Sequence, residues 1–527
     1  MQPRRLRLRV LLALLPCVLS LFAQQNDIPL NRDIYYDIDR NGAEEGSTMH
    51  TGLRPIIQSR AELHNVMGFR PDSGRYYYWI TEKLYKEHLI QAKDGGFNLT
   101  VDPMFRFEGG RELRATANTY ADVFALEQNS RGFRLAADLG PTVSFQSMFM
   151  ESQAVVPVYL YTYAQAQGVV PGQGRLKNFG DRGLDFAWAT ANVSWSPRPW
   201  LNAQLGQGRH FVGNGYRSTM LSDNASPFPY VKFSTITGNK RFQYSAIFAK
   251  LQQYGTANRL PTGEAGESLF WWKRATFLHL SANLGPLQLA LFEGTMWQTL
   301  GDDGVLPFNA MQLNPVIGLN TAANGFQGRN TQLLGLDAKY RLCGKGFLYG
   351  QFTLTDPARS RYAWQAGAQW FGLFHKDLHL LAEIDQATPF AYTQRDPRMS
   401  WTHDNQPLAS PIGTGYTELV VLADYGIKQR FWFQGELSVV AHPYGPRVIE
   451  VPGGNIYGPS TPPAAQGWDR QRVFGAVNAS WRMNQMTNMQ LTIGYSMRDL
   501  QPGSTAQDSG YLYVAFHTGL FNRYYDI

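Results

Sequence analysis

From about Phe97 onward the chain is written in short segments of period two, a pattern that a helical fold cannot use. Met489, Leu491, Ile493, Tyr495 and Met497 alternate with Gln490, Thr492, Gly494, Ser496 and Arg498. Leu334, Leu336, Ala338, Tyr340 and Leu342 alternate with Gly335, Asp337, Lys339 and Arg341, and Phe431, Phe433, Leu437 and Val439 with Gln434, Glu436 and Ser438. Successive side chains of a strand point to opposite faces, so each segment has one apolar face and one polar or charged face. A soluble sandwich shows the same alternation, but rarely over so long a stretch as one domain.

The connections between segments alternate in length. Tight links include Gly140-Pro141, Ser196-Pro197-Arg198-Pro199, Gly238-Asn239-Lys240, Gly285-Pro286, Gly344-Lys345-Gly346, His375-Lys376-Asp377 and Lys428-Gln429. Between them lie long polar stretches, among them 164–183, 207–228, 254–273, 298–330, 386–416 and 441–469. Membrane barrels have short periplasmic turns and long extracellular loops, and the segments predict an all-β transmembrane outer-membrane barrel of about 18 antiparallel strands. Composition agrees. Mean hydropathy is only −0.31, yet 13% of residues are aromatic, with 27 Tyr, 31 Phe and 13 Trp. Lumen-facing residues dilute hydropathy while interface girdles enrich aromatics. The final segment, 511–521, sets Leu512, Val514 and Phe516 against Tyr511, Tyr513, His517 and Gly519 and reads as a closing strand.

The N-terminus predicts export. Arg4, Arg5, Arg7 and Arg9 precede an apolar run from Val10 to Phe22, and Ala23 offers a small residue for cleavage before Gln24. That is the form of a secretory signal, assigned to 1–23. The run falls short of the roughly 20 residues that span a bilayer, and no second apolar run of that length follows. Residues 24–95 form a separate segment ahead of the barrel at 96–527. Within it, 24–74 is polar and turn-rich. Over 76–92, Tyr77, Ile80, Leu84, Tyr85, His88 and Leu89 recur at spacings of three and four, which predicts an amphipathic helix packed over the periplasmic mouth.

Charge and chemistry exclude several functions. Of 48 basic residues four sit in the signal, leaving 44 against 41 acidic ones, so nucleic-acid binding has no electrostatic support. With Cys17 in the signal, only Cys343 remains, read as a strand-end residue beside a turn, and no intramolecular disulfide can form. No glycine-rich phosphate loop, paired-histidine zinc motif or nucleophile elbow occurs. The ten histidines are scattered. No catalytic residue, metal ligand or cofactor is assigned.

The most informative stretch is Gly208–Pro229 (GRHFVGNGYRSTMLSDNASPFP), between the segments at Trp200–Leu205 and Tyr230. Glycines permit backbone geometry closed to other residues, and Ser222, Asp223 and Asn224 are turn formers. The loop is therefore expected to be ordered. It is either folded inward to brace the barrel or a contact surface for a saccharide or partner, with Arg209, Gly213, Gly215, Ser222, Asp223 and Asn224 as candidate binding residues. Loop aromatics such as Trp271, Trp272, Trp401 and Trp468 suit sugar stacking and loop packing equally.

This stretch, with its Gly-x-Gly followed by Ser-Asp-Asn-Ala and prolines, resembles the capsule assembly Wzi family. The resemblance implies a barrel of about 18 strands, a helical part at the periplasmic mouth, and lectin-like retention of capsular polysaccharide. Trp79–Gln91 (WITEKLYKEHLIQ), Phe97–Phe107 (FNLTVDPMFRF) and Gly519–Ile527 (GLFNRYYDI) resemble a distant gliding-motility branch of that family. The expected partners are thus outer-membrane lipid, surface polysaccharide and other cell-envelope proteins. A porin-like diffusion channel and a structural partner of another outer-membrane complex are the alternatives.

Overall fold

A computed structural model describes residues 24–69, 74, 76–114, 125–254, 270–301, 304–428, 430–442, 470–501 and 508–527. The predicted signal and much of the stretches 254–273 and 441–469 lie outside the described residues.

Eighteen antiparallel strands close into one barrel. They are β1 Phe97–Glu112, β2 Leu126–Leu139, β3 Val143–Val155, β4 Gly183–Arg198, β5 Leu201–Gly208 and β6 Phe228–Ile236. Then follow β7 Phe242–Tyr254, β8 Phe270–Leu284, β9 Leu287–Gln298, β10 Thr331–Leu342, β11 Gly346–Asp356 and β12 Arg361–Phe371. The circuit is completed by β13 Leu378–Ala387, β14 Tyr416–Ile427, β15 Phe431–His442, β16 Arg470–Asn484, β17 Met489–Gln501 and β18 Ser509–Thr518. Each strand pairs with the next, and β18 returns to β1 from Tyr511↔Glu112 to His517↔Arg106. The strand number and the closed antiparallel topology match the expectation from segment counting.

Period two is realised as two faces. On β10, Leu336 and Tyr340 are 45% and 47% exposed on the outer wall, while Asp337 and Lys339 are buried in the lumen. On β17, Leu491 and Ile493 face out and Gln490 and Thr492 face in. The tight links gather at one rim, where left-handed turn positions such as Gly285 (φ 68°) and Gly344 (φ 63°) reverse the chain. Cys343 is exposed in the turn itself, with φ 51°. At the opposite rim most connections are long, but β11 and β12 are joined by Pro357–Ser360 alone, so the alternation has one exception.

Three expectations about the connections are corrected. The stretch 24–74 holds a helix, α1 (Arg32–Ala43), whose N-cap Asn31 accepts a hydrogen bond from the Asp33 amide through its side chain. Its Ile34, Tyr35, Tyr36 and Ile38 are buried inside the barrel. The 76–92 helix shrinks to α2 (Trp79–Tyr85), none of whose residues is buried. Beyond it the chain turns extended, and Ile90–Asp94 pairs with the start of β1. α2 packs on the outer wall through Tyr85 and Trp481, with ring centroids 6.3 Å apart, and not across the mouth. The stretches 207–228 and 386–416, polar on average, are buried in the lumen; 298–330 has another place, described below.

The lumen is a packed core. One cluster joins Met220, Leu221 and Phe228 to Phe277, Phe292, Leu333, Tyr392, Trp401 and Leu408. A second, nearer the short-turn rim, joins Ile28, Ile34, Tyr35, Ile38, Met49 and Ile56 to Met104, Met150, Trp188 and Leu520. Leu53–Arg54 even pairs with Phe211–Val212 as a two-stranded ribbon inside the barrel.

The two faces of β10 set a stability contrast. Ala338→Arg, on the outer face, should cost roughly 2–4 kcal/mol near the bilayer midplane. Lys339→Ala should cost less, by loosening the contact of Lys339 Nζ with Thr51 Oγ1 (3.1 Å) and the Phe347 ring (4.0 Å). Urea titration in lipid vesicles measures both, and equal losses would refute the register.

Candidate functional site

The segment between β5 and β6, where all six candidate residues lie, crosses the lumen. Arg209 donates to the Gly172 carbonyl and lies over the rings of Trp188 and Phe521. Gly213 (φ 131°) donates its amide to the Gly52 carbonyl at 2.8 Å, and a Cβ there would strike Gln351. Gly215 leaves room for Glu383 in the same way. Ser222 bonds Leu408 and Ala409 of the 388–415 segment, and Asn224 donates to the Pro407 carbonyl. Asp223 accepts from Asn522 (3.0 Å) and Tyr524 (2.8 Å). The six come together as internal struts. Their arrangement is that of the inward-folded brace, the first of the two roles expected for this loop.

At the centre of the brace sits Arg217, 1% exposed. Its guanidinium makes a two-pronged pair with Glu418 (2.7 and 2.9 Å) and contacts Asp526 at 2.5 Å. Tyr216 Oη lies 2.8 Å from Glu436 and 3.1 Å from Asp526, and Arg32 of α1 stacks over the Tyr216 ring at 4.2 Å. Glu383 takes the backbone amides of Tyr216 and Arg217, both at 2.8 Å, and the Tyr349 hydroxyl at 2.7 Å. Burial works against the Arg217 charge, but Asp526 and Glu418 more than offset it and raise its pKa well above the ordinary arginine value. Three wall strands (β13, β14 and β15), α1, the brace and residues 519–527 are thus held by one ionic cluster.

Reading along the chain missed Arg217, Glu418 and Asp526, whereas Trp401 takes the loop-packing role of the two open to it. Trp401 is fully buried and donates Nε1–H to the Met220 carbonyl at 2.7 Å, which makes it a plug anchor. Trp272 lies on the outer wall, 40% exposed, under Lys250, and Trp271 faces Arg398. Trp468 is outside the described residues. The irregular spacing of Phe390, Tyr392, Trp401 and Leu408 was the available signal of a buried loop.

Among the described residues no cluster of His, Cys, Asp or Glu is placed to hold a metal. Of the acidic groups around Arg217, Glu383, Glu418 and Asp526 are buried, while Glu436 is partly exposed. Two cavities of about 380 and 460 Å³ open at the short-turn rim, the first beside Gln24, Lys86 and Arg134 and the second beside Tyr36, Arg40 and Lys428.

Two histidines make the packed lumen sensitive to acid. His50 sits 2.8 Å from Ser281 Oγ and 2.9 Å from the Lys240 carbonyl, and burial lowers its pKa to about 4. Burial, then Lys232, holds His210 well below its ordinary value. The unfolded chain takes up these protons below about pH 6.5 while the folded lumen refuses them. Stability therefore falls as pH drops from 6.5 toward 4. Hydrogen exchange over residues 48–58 should show less protection at pH 5 than at pH 7, after correction for intrinsic rates, and His50→Gln should flatten the difference. Equal protection at both would contradict this.

No family model matches the chain, and no curated protein does. Among solved structures it superposes on the Escherichia coli outer-membrane protein Wzi with a TM-score of 0.56 at 12% identity, over 93% of this chain and 99% of that one. The fold is that of an outer-membrane β-barrel. Wzi is described as involved in group 1 capsule assembly and as a carbohydrate-binding barrel. The chain also matches a BenF-like porin from Pseudomonas fluorescens (TM-score 0.44, 10% identity, 79% and 97% coverage). OccAB2 of Acinetobacter baumannii matches likewise (TM-score 0.42, 12% identity, 81% and 99% coverage). Those two add nothing to the fold assignment.

Proposed function

We propose that this chain is a sealed, non-enzymatic outer-membrane barrel that serves surface-polysaccharide attachment, gliding motility, or both. The observation that carries the reading is the filled lumen. A porin needs an open, charged constriction, whereas here the constriction zone is occupied by Arg217, Tyr216, Trp401 and Tyr392, all buried. A barrel without a path acts through its surfaces. The likeness to a carbohydrate-binding barrel supports polysaccharide as the ligand class. The resemblance of residues 79–91, 97–107 and 519–527 to the gliding-motility protein RemB supports the second role. Because the brace residues are enclosed, the polysaccharide would meet the long-loop rim.

A deletion strain, scored for capsule retention and colony spreading and complemented with the wild-type chain, tests the reading. Loss of either trait supports it. Normal capsule and spreading with altered uptake of small solutes would favour the porin.

The orientation follows from loop length, with the short turns periplasmic. Cys343, exposed at the short-turn rim, is a native reporter. A membrane-impermeant maleimide on intact cells should spare Cys343 and label Arg329→Cys at the long-loop side. Asn320, in the same connection, is fully buried and would not report the aqueous face. Labelling of Cys343 on intact cells would invert the topology.

A further inference from the structure

The connection between β9 and β10 is neither a surface loop nor part of the plug. It descends along the outside of the barrel. Thr276 on β8, Glu293 and Thr295 on β9 and Gln332 on β10 lie on the outward face, since Thr276↔Thr295↔Gln332 pair laterally and Glu293 and Thr295 share the parity of exposed Leu291. Yet all four are at most 1% exposed. The connection covers them. Glu293 accepts the amides of Gly318 and Thr321, both at 2.8 Å, and the Thr321 hydroxyl at 2.7 Å. Thr276 donates to the Gln312 carbonyl at 2.6 Å, and the Tyr244 hydroxyl reaches the Pro315 carbonyl.

The covering segment is built inside out. Residues 304–328 contain no Asp, Glu, Lys, Arg or His. Gln312, Asn314, Asn320 and Thr321 turn inward and are buried. Phe308, Leu313, Val316 and Leu319 turn away from the barrel and are 57%, 56%, 55% and 45% exposed. A loop solvated by water would put its amides outside. Polar groups turned inward, most of them paired (the amide nitrogens of Asn320 and Gln332 are not), with apolar groups outward, is the arrangement that hydrocarbon favours, because unpaired polar groups facing it are costly.

We propose that residues 304–328 form a lipid-embedded lasso, lying against the barrel wall within the bilayer and contacting acyl chains through Phe308, Leu313, Val316 and Leu319. The occupant of this face is lipid because the face continues the outer wall: Leu291 and Leu336, 47% and 45% exposed, lie on the same side of the same strands. The lasso also lets the wall carry an ionisable residue, Glu293, on its lipid side by giving both carboxylate oxygens donors.

The inference rests on the membrane location proposed above, and its test separates the two. Single cysteines replace Val316, Leu313, Leu491 (plain wall) and Arg329 (aqueous loop) in the full mature chain carrying Cys343→Ser. Each is spin-labelled in vesicles of phosphatidylethanolamine and phosphatidylglycerol, and collision with oxygen and with a water-soluble nickel chelate is measured. Labels at 313 and 316 should match 491, with oxygen collision several-fold above nickel, while 329 shows the reverse. If 491 reads as lipid but 313 and 316 collide with nickel as 329 does, the lasso is overturned. Shielding of 313 and 316 from both reagents would mean that a second copy covers the face, which also overturns it. Nickel access at 491 itself would sink the membrane location instead.

Discussion

Planar bilayers holding the purified protein should pass almost no current. A barrel of about 18 strands has a lumen wide enough for an aqueous channel, but here residues 24–69 fill its short-turn half and residues 209–227 and 388–415 its long-loop half. Deleting 76–92 should leave the protein silent, because α2 lies against the outer wall beside Trp481 and blocks nothing. Deleting 24–69 alone should also leave it near-silent, since the cluster of Met220, Leu221, Phe228 and Trp401 still closes the path. Large, steady channels are expected only when 24–69 is removed and 210–226 is replaced by a short Gly-Ser link. Steady conductance from the intact protein would overturn both the seal and the functional reading built on it.

The second large effect is expected at Arg217. Its removal leaves Glu418 and Asp526, each at most 1% exposed, without the cation they both contact, with only Arg472, and Arg32 for Asp526, still acting on them through space. Breaking a buried pair by removing one partner costs about 3–5 kcal/mol. Arg217→Met should lose that much in a vesicle-based urea titration, and the 519–527 segment should become sensitive to protease. Adding Glu418→Gln and Asp526→Asn to Arg217→Met should recover part of the loss by neutralising the two abandoned carboxylates, and only part because buried Arg472 then loses both of its acidic neighbours. Arg217→Lys should be intermediate, because an ammonium cannot reproduce the two-pronged contact with Glu418. A loss below about 1 kcal/mol for Arg217→Met would place the cluster in the range of exposed pairs.

The wall of this protein was legible because lipid imposes a local rule. Leu336, Ala338 and Tyr340 had to be apolar and their neighbours were free to be polar, so period two, the face of Ala338 and the strand number could all be read along the chain. The lumen obeys no such local rule. A polar residue on the inner face looks the same whether it meets water or a plug, and Lys339 meets Thr51 while Glu418 meets Arg217, at separations of 288 and 201 residues. The apolar spacing over 76–92 continues into Leu89, although the helix ends at Tyr85 and from Ile90 the chain is a strand beside β1. The 298–330 stretch looks polar and aqueous in the sequence because its amides are numerous. Which way they point depends on Glu293, Thr276 and Tyr244, residues of other strands. Arg209, Gly213, Gly215, Ser222, Asp223 and Asn224, candidates for binding in the sequence, are held by partners inside the barrel that no local pattern announces.

Residues 519–527 govern when the molecule can finish folding. Asn522 accepts the amide of Arg32 at 2.8 Å and donates its own to the Leu30 carbonyl at 3.1 Å, across 490 residues of chain in the first case. Asn522 and Tyr524 also hold Asp223. The early segment therefore has no finished seat until the late one is present. Contacts of such sequence separation form late and slowly, after loop-closure entropy has been overcome. Assembly should pass through a closed wall whose contents are still unset, a transient hollow barrel that would leak before it matures.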